Sequence, residues 1–387
     1  MKMKPAAIIT LTLLTIIMMT SSCKNRVTDY KVVGYIAGYS GFDFSKIDAM
    51  KLTHINYAFA NIINGEVVFD TTEIDNMSLN KKDLAYLTAL RDVNPSLKVI
   101  ISVGGWGWSG NFSDAALNDS TRERFAVSAA KFICENNLDG IDLDWEYPNQ
   151  PGAGNRYRPE DINNFTLLLK ATREKIDSLS HETTGRDYLL TIATGADSVY
   201  AANTNLADIS KYVDFINLMT YDLHNGNTKQ AGHHSNLFIS QYDSPYGDAT
   251  DRAVKMHINA GVPARKLNIG IPFYGRRWLH VKPVNNGIYQ SSPAGGEGIP
   301  YKIVKEALRD TIYIRCWDST ACAPWLWNSR DSVFISYDDT LSIRLKMEYI
   351  RKNKLGGAMF WEYAEDTDGS LLDAIDNSLG KVKESNR

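Results

Sequence analysis

The chain has 387 residues, 44% of them hydrophobic and 22% charged, with a formal net charge of −3. This is a globular composition, long enough for one large barrel or two ordinary domains, and it excludes a disordered or fibrous polypeptide. No basic stripe runs along it, so nucleic acid is not an expected partner.

At the N-terminus, Lys2 and Lys4 precede an apolar stretch over 5–19 and then Thr20-Ser21-Ser22-Cys23. A basic start, a short apolar run and small residues before a cut point read as an export signal over 1–22. The apolar run is too short for a comfortable membrane-spanning helix. Cys23, directly after small residues, resembles the lipid-modified cysteine of bacterial lipoproteins, although Thr20 stands where an aliphatic residue is usual. On that reading the protein is exported and membrane-anchored, periplasmic or at the cell surface. Ordinary cleavage beside an incidental cysteine is the alternative. Loss of 1–22 removes two lysines and no acid, taking the charge from −3 to −5.

After a linker over 23–30, strand-like and helical stretches alternate. The strand-like runs are 32–37, 52–60, 98–103, 140–147, 188–193, 213–220, 267–274 and 357–361. Helical patterns fall between them at 82–93, 121–136, 159–178, 249–260 and 342–352. Alternating β and α units imply a parallel sheet with right-handed crossovers. Eight of them predict a closed (β/α)8 TIM barrel, the alternative being an open doubly wound sheet. No G-x-G-x-x-G follows the first strand, which argues against a dinucleotide-binding version. Residues 278–337 break the rhythm with Pro283, Pro293, Gly295-Gly296, Pro300 and an aromatic patch, and predict a small α+β insertion. The barrel then comprises 31–277 and 338–380.

The segment Asp139-Gly-Ile-Asp142-Leu-Asp144-Trp-Glu146-Tyr-Pro148 carries the chemistry. In a strand, Asp142, Asp144 and Glu146 share one face while Ile141, Leu143 and Trp145 share the other. Successive carboxylates then lie about 6–7 Å apart. They cannot all ionise cheaply, so at least one proton is held or shared at neutral pH. That is how a carboxylic acid is kept ready as a general acid. A solvated acidic surface and a metal site are the competing readings, since hard cations also take carboxylate oxygens. In a barrel, catalytic groups sit at the C-terminal ends of strands. Ser102-Val-Gly104-Gly105-Trp106, Met219-Thr-Tyr221-Asp222, Tyr274-Gly-Arg276 and Trp361 fall at four further strand ends.

At these residues the chain resembles the family 18 glycoside hydrolases, the chitinase family. Asp139-x-x-Asp142-x-Asp144-x-Glu146 matches that family's signature, and Ser102-x-Gly104-Gly105, Met219-x-Tyr221-Asp222, Tyr274-Gly-Arg276 and Trp361 match its other strand-end motifs. The resemblance implies β-1,4 cleavage between N-acetylglucosamine units of chitin or chitooligosaccharides by substrate-assisted retaining catalysis. Glu146 is then the general acid/base. Asp144 orients the substrate's own acetamido group, Asp142 shares a proton with Asp144, and Tyr221 bonds the acetamido carbonyl. Trp361 is the floor under the reacting sugar. Tyr35, Phe59, Gly105, Trp106, Met219, Asp222, Tyr274 and Arg276 line the subsites, while Asp139, Ser102 and Gly104 are structural. No cofactor and no metal is implied, and the expected assembly is a monomer.

Three alternatives stay open: a chitin-binding lectin, an endo-β-N-acetylglucosaminidase acting on N-glycans, and a metal-dependent barrel enzyme. Export permits disulfides, and Cys316 and Cys322 bracket a short loop that a bridge would close. Cys134, on a helical pattern, is expected as a buried free thiol.

Overall fold

A computed structural model describes residues 30–69, 81–181 and 185–379. The expected export signal, Cys23 and the linker up to residue 29 lie outside these residues, as does Gly380. Among the described residues no helix is long and apolar enough to cross a membrane.

Eight strands run parallel: β1 (Lys31–Ala37), β2 (His54–Ile63), β3 (Lys98–Gly104), β4 (Gly140–Asp144), β5 (Leu189–Thr194), β6 (Phe215–Leu218), β7 (Leu267–Pro272) and β8 (Gly357–Trp361). Each pairs with the next, and β8 returns to β1 through the register Lys31↔Gly357 to Gly34↔Phe360, which closes the sheet. The fold is a (β/α)8 TIM barrel. Its strands are buried on both faces, so they read as nearly continuous apolar runs in which a polar residue stands out. β4 is shorter than the predicted 140–147: the ladder stops at Asp144, and Trp145 and Glu146 follow in irregular backbone.

The outer layer includes α1 (Lys81–Ala89), α2 (Asp119–Glu135), α3 (Asp161–Leu179), α4 (Thr250–Asn259), α5 (Thr340–Asn353) and α6 (Ser370–Leu379). Two starts are set by local chemistry. The Asn118 side chain accepts from Thr121 N–H and Thr121 Oγ1 answers the Asn118 backbone, a reciprocal cap worth about 1 kcal/mol. Asp339 caps α5 in the same way with Ser342. Its neighbour Asp338 meets Lys346 at 2.6 Å and accepts from Ser235 at 2.9 Å, a fully buried pair that ties α5 to the loop after β6.

The insertion is a five-stranded antiparallel sheet in the order Glu297–Pro300, Tyr274–Trp278, Val333–Ser336, Ala323–Asn328, Ile314–Asp318, with the helix Tyr301–Arg309. It has its own core around Trp278, Trp325, Trp327, Tyr289 and Phe334. The sheet begins at Tyr274, before the predicted boundary at 278, so one strand carries the chain from the barrel mouth into the insertion.

The cysteines correct two expectations. Cys316 and Cys322 are free thiols. Cys316 sits across the ladder from Trp325, and its Sγ lies 3.7 Å from the Asn286 amide. Cys322 turns in the left-handed region (φ 55°) with its Sγ toward the Ser319 carbonyl. Cys316 stands on a strand and Cys322 in the left-handed turn that follows it, so the two thiols are aimed at different neighbours. Cys134 is free but exposed, because Phe132 and Ile133 take the inward positions of α2.

Candidate active site

The period-two reading of β4 holds in three dimensions. Trp145 points outward into the core, stacked on Phe112 (centroids 5.3 Å apart) and meeting Phe165 edge-on. Asp142 points inward and is completely buried. Its carboxylate accepts from the hydroxyls of Tyr35 (2.7 Å), Ser102 (2.8 Å) and Thr191 (2.5 Å). Burial raises its pKa, and the three hydroxyls oppose that rise.

Asp144 is treated differently. It is 4% exposed, and its Oδ1 has no hydrogen-bond partner. Burial, then the charges of Glu146 and Asp142, push its carboxyl well above the ordinary range. Glu146, 8% exposed, is pushed up to about 7, chiefly by burial, with Tyr147 opposing and Asp222 adding. Its backbone N–H donates to Ser109 Oγ at 2.8 Å, and that oxygen also lies within hydrogen-bond distance of the Gly105 and Asp144 carbonyls. Ser109 therefore splices the ends of β3 and β4 together and fixes the backbone on which Glu146 stands.

Two glycines make that closeness possible. A Cβ on Gly104 (φ +100°) would lie 2.5 Å from the Asp144 carbonyl oxygen. One on Gly105 (φ +74°) would lie 2.6 Å from the Phe59 ring. Both positions demand glycine on backbone angle and on space.

Across the mouth, Asp222 follows β6 with φ 57°. It accepts from the Tyr274 hydroxyl at 2.7 Å and, bidentately, from Arg276 Nε (2.7 Å) and Nη2 (2.6 Å). Burial alone would raise this carboxyl, but His234 and Arg276 outweigh it and hold it far below the usual range. Arg276 Nη1 donates to the Gly296 carbonyl at 2.9 Å, which fastens the insertion to the mouth. Tyr221 stands between the two carboxylate groups, its ring edge-on to Tyr274. Burial and the charges of Asp144 and Glu146 keep its hydroxyl protonated.

The floor is aromatic. Trp361, at the end of β8, stacks on Phe59 (5.5 Å, 17°) and leans on Tyr35 (5.9 Å). Met219, Tyr221 and Trp361 pack on the same inner cluster as Tyr35, Phe59 and Met359. Trp106 stands 54% exposed at one side, edge-on to Tyr147. The structure thus brings the residues expected for catalysis and the subsites to one mouth, and of the three residues expected to be structural, Ser102 and Gly104 join them while Asp139 does not. Asp139 lies at the opposite end of β4, ion-paired to Arg91, Arg186 and Lys98 and accepting from Val99 N–H at 2.8 Å.

Several residues at the mouth escaped the sequence reading. Thr191 had a signal, since it is a polar residue inside the apolar run of β5, opposite Asp142 in the ladder. Ser109, Tyr147 and Glu362 had none. Glu362 follows Trp361, accepts from Ala37 N–H at 3.1 Å, and is raised to about 7 by burial. Among the described residues no three His, Cys, Asp or Glu side chains converge as metal ligands do.

The model of glycosyl hydrolases family 18 matches residues 31–366. The chain belongs to that family. Chitinase A1 of Niallia circulans is 39% identical over an alignment covering 90% of this chain and 58% of that protein, so this chain spans little more than half the length of that relative. A family 18 N-acetylglucosaminidase from Paenibacillus barengoltzii superposes with a TM-score of 0.83 at 39% identity, covering 90% of this chain and all of that one. The Group IV chitinase of Ostrinia furnacalis, solved with allosamidin, gives 0.82 at 30% identity over 91% of this chain and 99% of its own. As a family 18 member, the chain carries the frame of a chitinase-like glycosidase, with the acid-bearing strand end where such a barrel holds its chemistry.

Proposed function

We propose that this protein hydrolyses β-1,4 bonds between N-acetylglucosamine units of chitin or chitooligosaccharides, by retaining catalysis in which the substrate supplies its own nucleophile. The observation that carries this is the unpartnered, buried Oδ1 of Asp144 beside a Glu146 carboxyl held up to about 7. A buried acceptor without a donor is costly to maintain. An acetamido N–H is a donor of the right kind to satisfy it.

Glu146 protonates the glycosidic oxygen. The acetamido oxygen attacks the anomeric carbon as the leaving group departs, giving an oxazolinium ion. Asp144 accepts from the acetamido N–H, orients the group and offsets its developing positive charge. Asp142, held by three hydroxyls, keeps Asp144 from ionising freely and shares its proton load. The Tyr221 hydroxyl donates to the acetamido carbonyl oxygen. Water, deprotonated by Glu146, then opens the ring from the face the leaving group left, and configuration is retained. Trp361 offers an indole face to the pyranose C–H face. The Asp222–Tyr274–Arg276 cluster and the insertion wall one side of the groove, which favours chain-like substrates. Export, and anchoring through Cys23, complete the reading.

The test is digestion of N-acetylchitotetraose by wild type and Glu146→Gln, with anomers read early. β-Anomeric disaccharide from wild type alone is expected. Cleavage of a fully deacetylated chain at a comparable rate would overturn substrate assistance. The name of the Paenibacillus neighbour favours a second outcome, release of single N-acetylglucosamine units, which the same product analysis separates.

A further inference from the structure

The two ends of the barrel differ in charge as well as in chemistry. The mouth gathers Asp144, Glu146, Asp222 and Glu362. The base, where strands begin, exposes Arg265 before β7 and Lys352 and Lys354 before β8. Lys98 and Lys266 stand beside them but are engaged, Lys98 with Asp139 at 3.6 Å and Lys266 with the Ser210 and Val213 carbonyls. Acids at this end are largely engaged inside the fold. Asp139 meets Arg91 and Arg186, and Asp214 accepts from Leu190 N–H (2.8 Å) and meets Arg173 (3.1 Å). Asp92, Glu135 and Asp187 are exposed and offset part of the positive charge.

Both described chain ends leave from the base. Tyr30 precedes β1. Leu379 closes α6, which Arg351 of α5 clasps through the Ser378 carbonyl. Beyond them the sequence stays basic: Lys24 and Arg26 against Asp29 on one side, and Lys381, Lys383 and Arg387 against Glu384 on the other. This is a local excess of positive charge in a chain whose formal net charge is −3.

The distance from the anchor is short. Residues 23 and 30 are separated by a chain that reaches about 25 Å when fully extended. The helix α2 alone is about 25 Å long. A tether that leaves the base cannot pass round the barrel and bring the mouth to the plane holding residue 23.

We propose that the base of the barrel is a docking surface for the anionic headgroup plane of the bilayer that holds the Cys23 lipid, with the catalytic mouth directed away from it. The proposal rests on the lipoprotein reading of Cys23. Each Lys or Arg close to an anionic surface contributes about 1 kcal/mol, within a Debye length of about 8–10 Å. The short tether keeps the local concentration of lipid high, so a weak patch suffices. The groove then faces polymer arriving from outside.

Two measurements separate the anchor from the orientation. In detergent phase partition, full-length wild type enters the detergent phase and Cys23→Ser stays aqueous; if both stay aqueous, the lipoprotein reading fails and the docking proposal falls with it. For orientation, the lipidated protein is placed in phosphatidylcholine vesicles containing phosphatidylglycerol, with Cys316 and Cys322 replaced by Ser. A fluorophore sits on exposed Cys134 at the base or, with Cys134→Ser, on Ala153→Cys in the loop after β4. A headgroup-attached quencher should dim the base label and spare the mouth label. Equal quenching, with the anchor intact, overturns the docking face.

The Cys23→Ser form gives the charge readout. Its sedimentation with phosphatidylglycerol vesicles should weaken roughly fivefold for each of Arg265→Gln, Lys352→Gln and Lys354→Gln, and with added salt. Hydrolysis of a soluble tetramer, unchanged in these variants, controls for folding. Binding indifferent to all three substitutions also overturns the proposal.

Discussion

Asp139 and Asp144 stand near opposite ends of one short strand, and their surroundings are opposites. At the base, burial would raise Asp139, but Val99 N–H, Arg186 and Arg91 outweigh it and lower its pKa. At the mouth, Asp144 is buried beside Asp142 and Glu146, with one oxygen unpartnered. The two ends of β4 use the same side chain for different ends. Where the charge is compensated, it holds strands and helices together. Where it is not, burial and neighbouring acids keep a proton on the carboxyl at an energetic cost, the kind of perturbation that marks a candidate functional site. For Glu146 the rise from 4.5 to about 7 corresponds to roughly 3 kcal/mol against ionisation.

The largest effect that tests this contrast is on turnover. Glu146→Gln keeps the shape and removes the transferable proton. Turnover should fall by about 10²–10⁴-fold while oligosaccharide affinity stays within about twofold. Steady-state kinetics and calorimetric binding on N-acetylchitotetraose check it, and near-normal turnover would sink the assignment of the acid.

Asp144→Asn should cost about a hundredfold in rate, since the nucleophilic acetamide loses its orienting carboxylate. It should not cost stability. Neutralising a buried group that repels Glu146 leaves the urea midpoint at pH 8 unchanged or higher. A midpoint that drops would show that Asp144 is a structural acid like Asp139, and the contrast between the two ends would collapse.

A smaller, graded effect follows from pH. Glu146 must be protonated to act as an acid, so kcat/KM should fall as pH rises through about 7. The same shift has a sign in stability. Between about 4.5 and 7 the native carboxyl holds a proton that the unfolded chain has released. The contribution is therefore fully present below 4.5 and lost as pH rises through 7. Urea midpoints at pH 5 and pH 8 should differ less in Glu146→Gln than in wild type; an identical difference would assign the pH dependence to other groups.

Much of the mouth was legible because chemistry and period coincide there. Acids at alternate positions among Ile141, Leu143 and Trp145 mark a strand, a face and a candidate site together. The insertion was legible from its break in rhythm, although its first strand starts inside the barrel segment, because Tyr274 follows β7 after a single residue and no turn signal separates them. Ser109 was not legible. Its role depends on three backbone atoms from two strand ends, and no local spacing encodes that meeting. Glu362 was hidden by its neighbour Trp361, whose aromatic signal is the stronger. The bridge between Cys316 and Cys322 was inferred from sequence separation alone, and separation carries no information about the direction in which a strand and the turn after it aim their side chains.

Asp139→Asn is the substitution with the least effect on chemistry and the sharpest use for the comparison. The side chain is 2% exposed and is met by two guanidinium groups, an ammonium group at 3.6 Å and a backbone N–H. The amide keeps its size and one acceptor but removes the charge those cations face. Charged hydrogen bonds of this kind are worth about 1.5–3 kcal/mol, and partial exposure of both arginines puts the expected loss near the lower figure. Because the folded pKa is lowered, the wild-type contribution is present above the unfolded value of 3.8 and fades as pH falls through the depressed one. The gap between variant and wild type should therefore be full at pH 7 and shrink in acid. Activity per folded molecule should stay within about twofold, since the mouth lies at the other end of β4. Chemical denaturation at two pH values, paired with kinetics below the transition, measures both. A large loss of rate in a variant of normal stability would mean that the two ends of the strand are coupled, and that the base is part of the catalytic machinery.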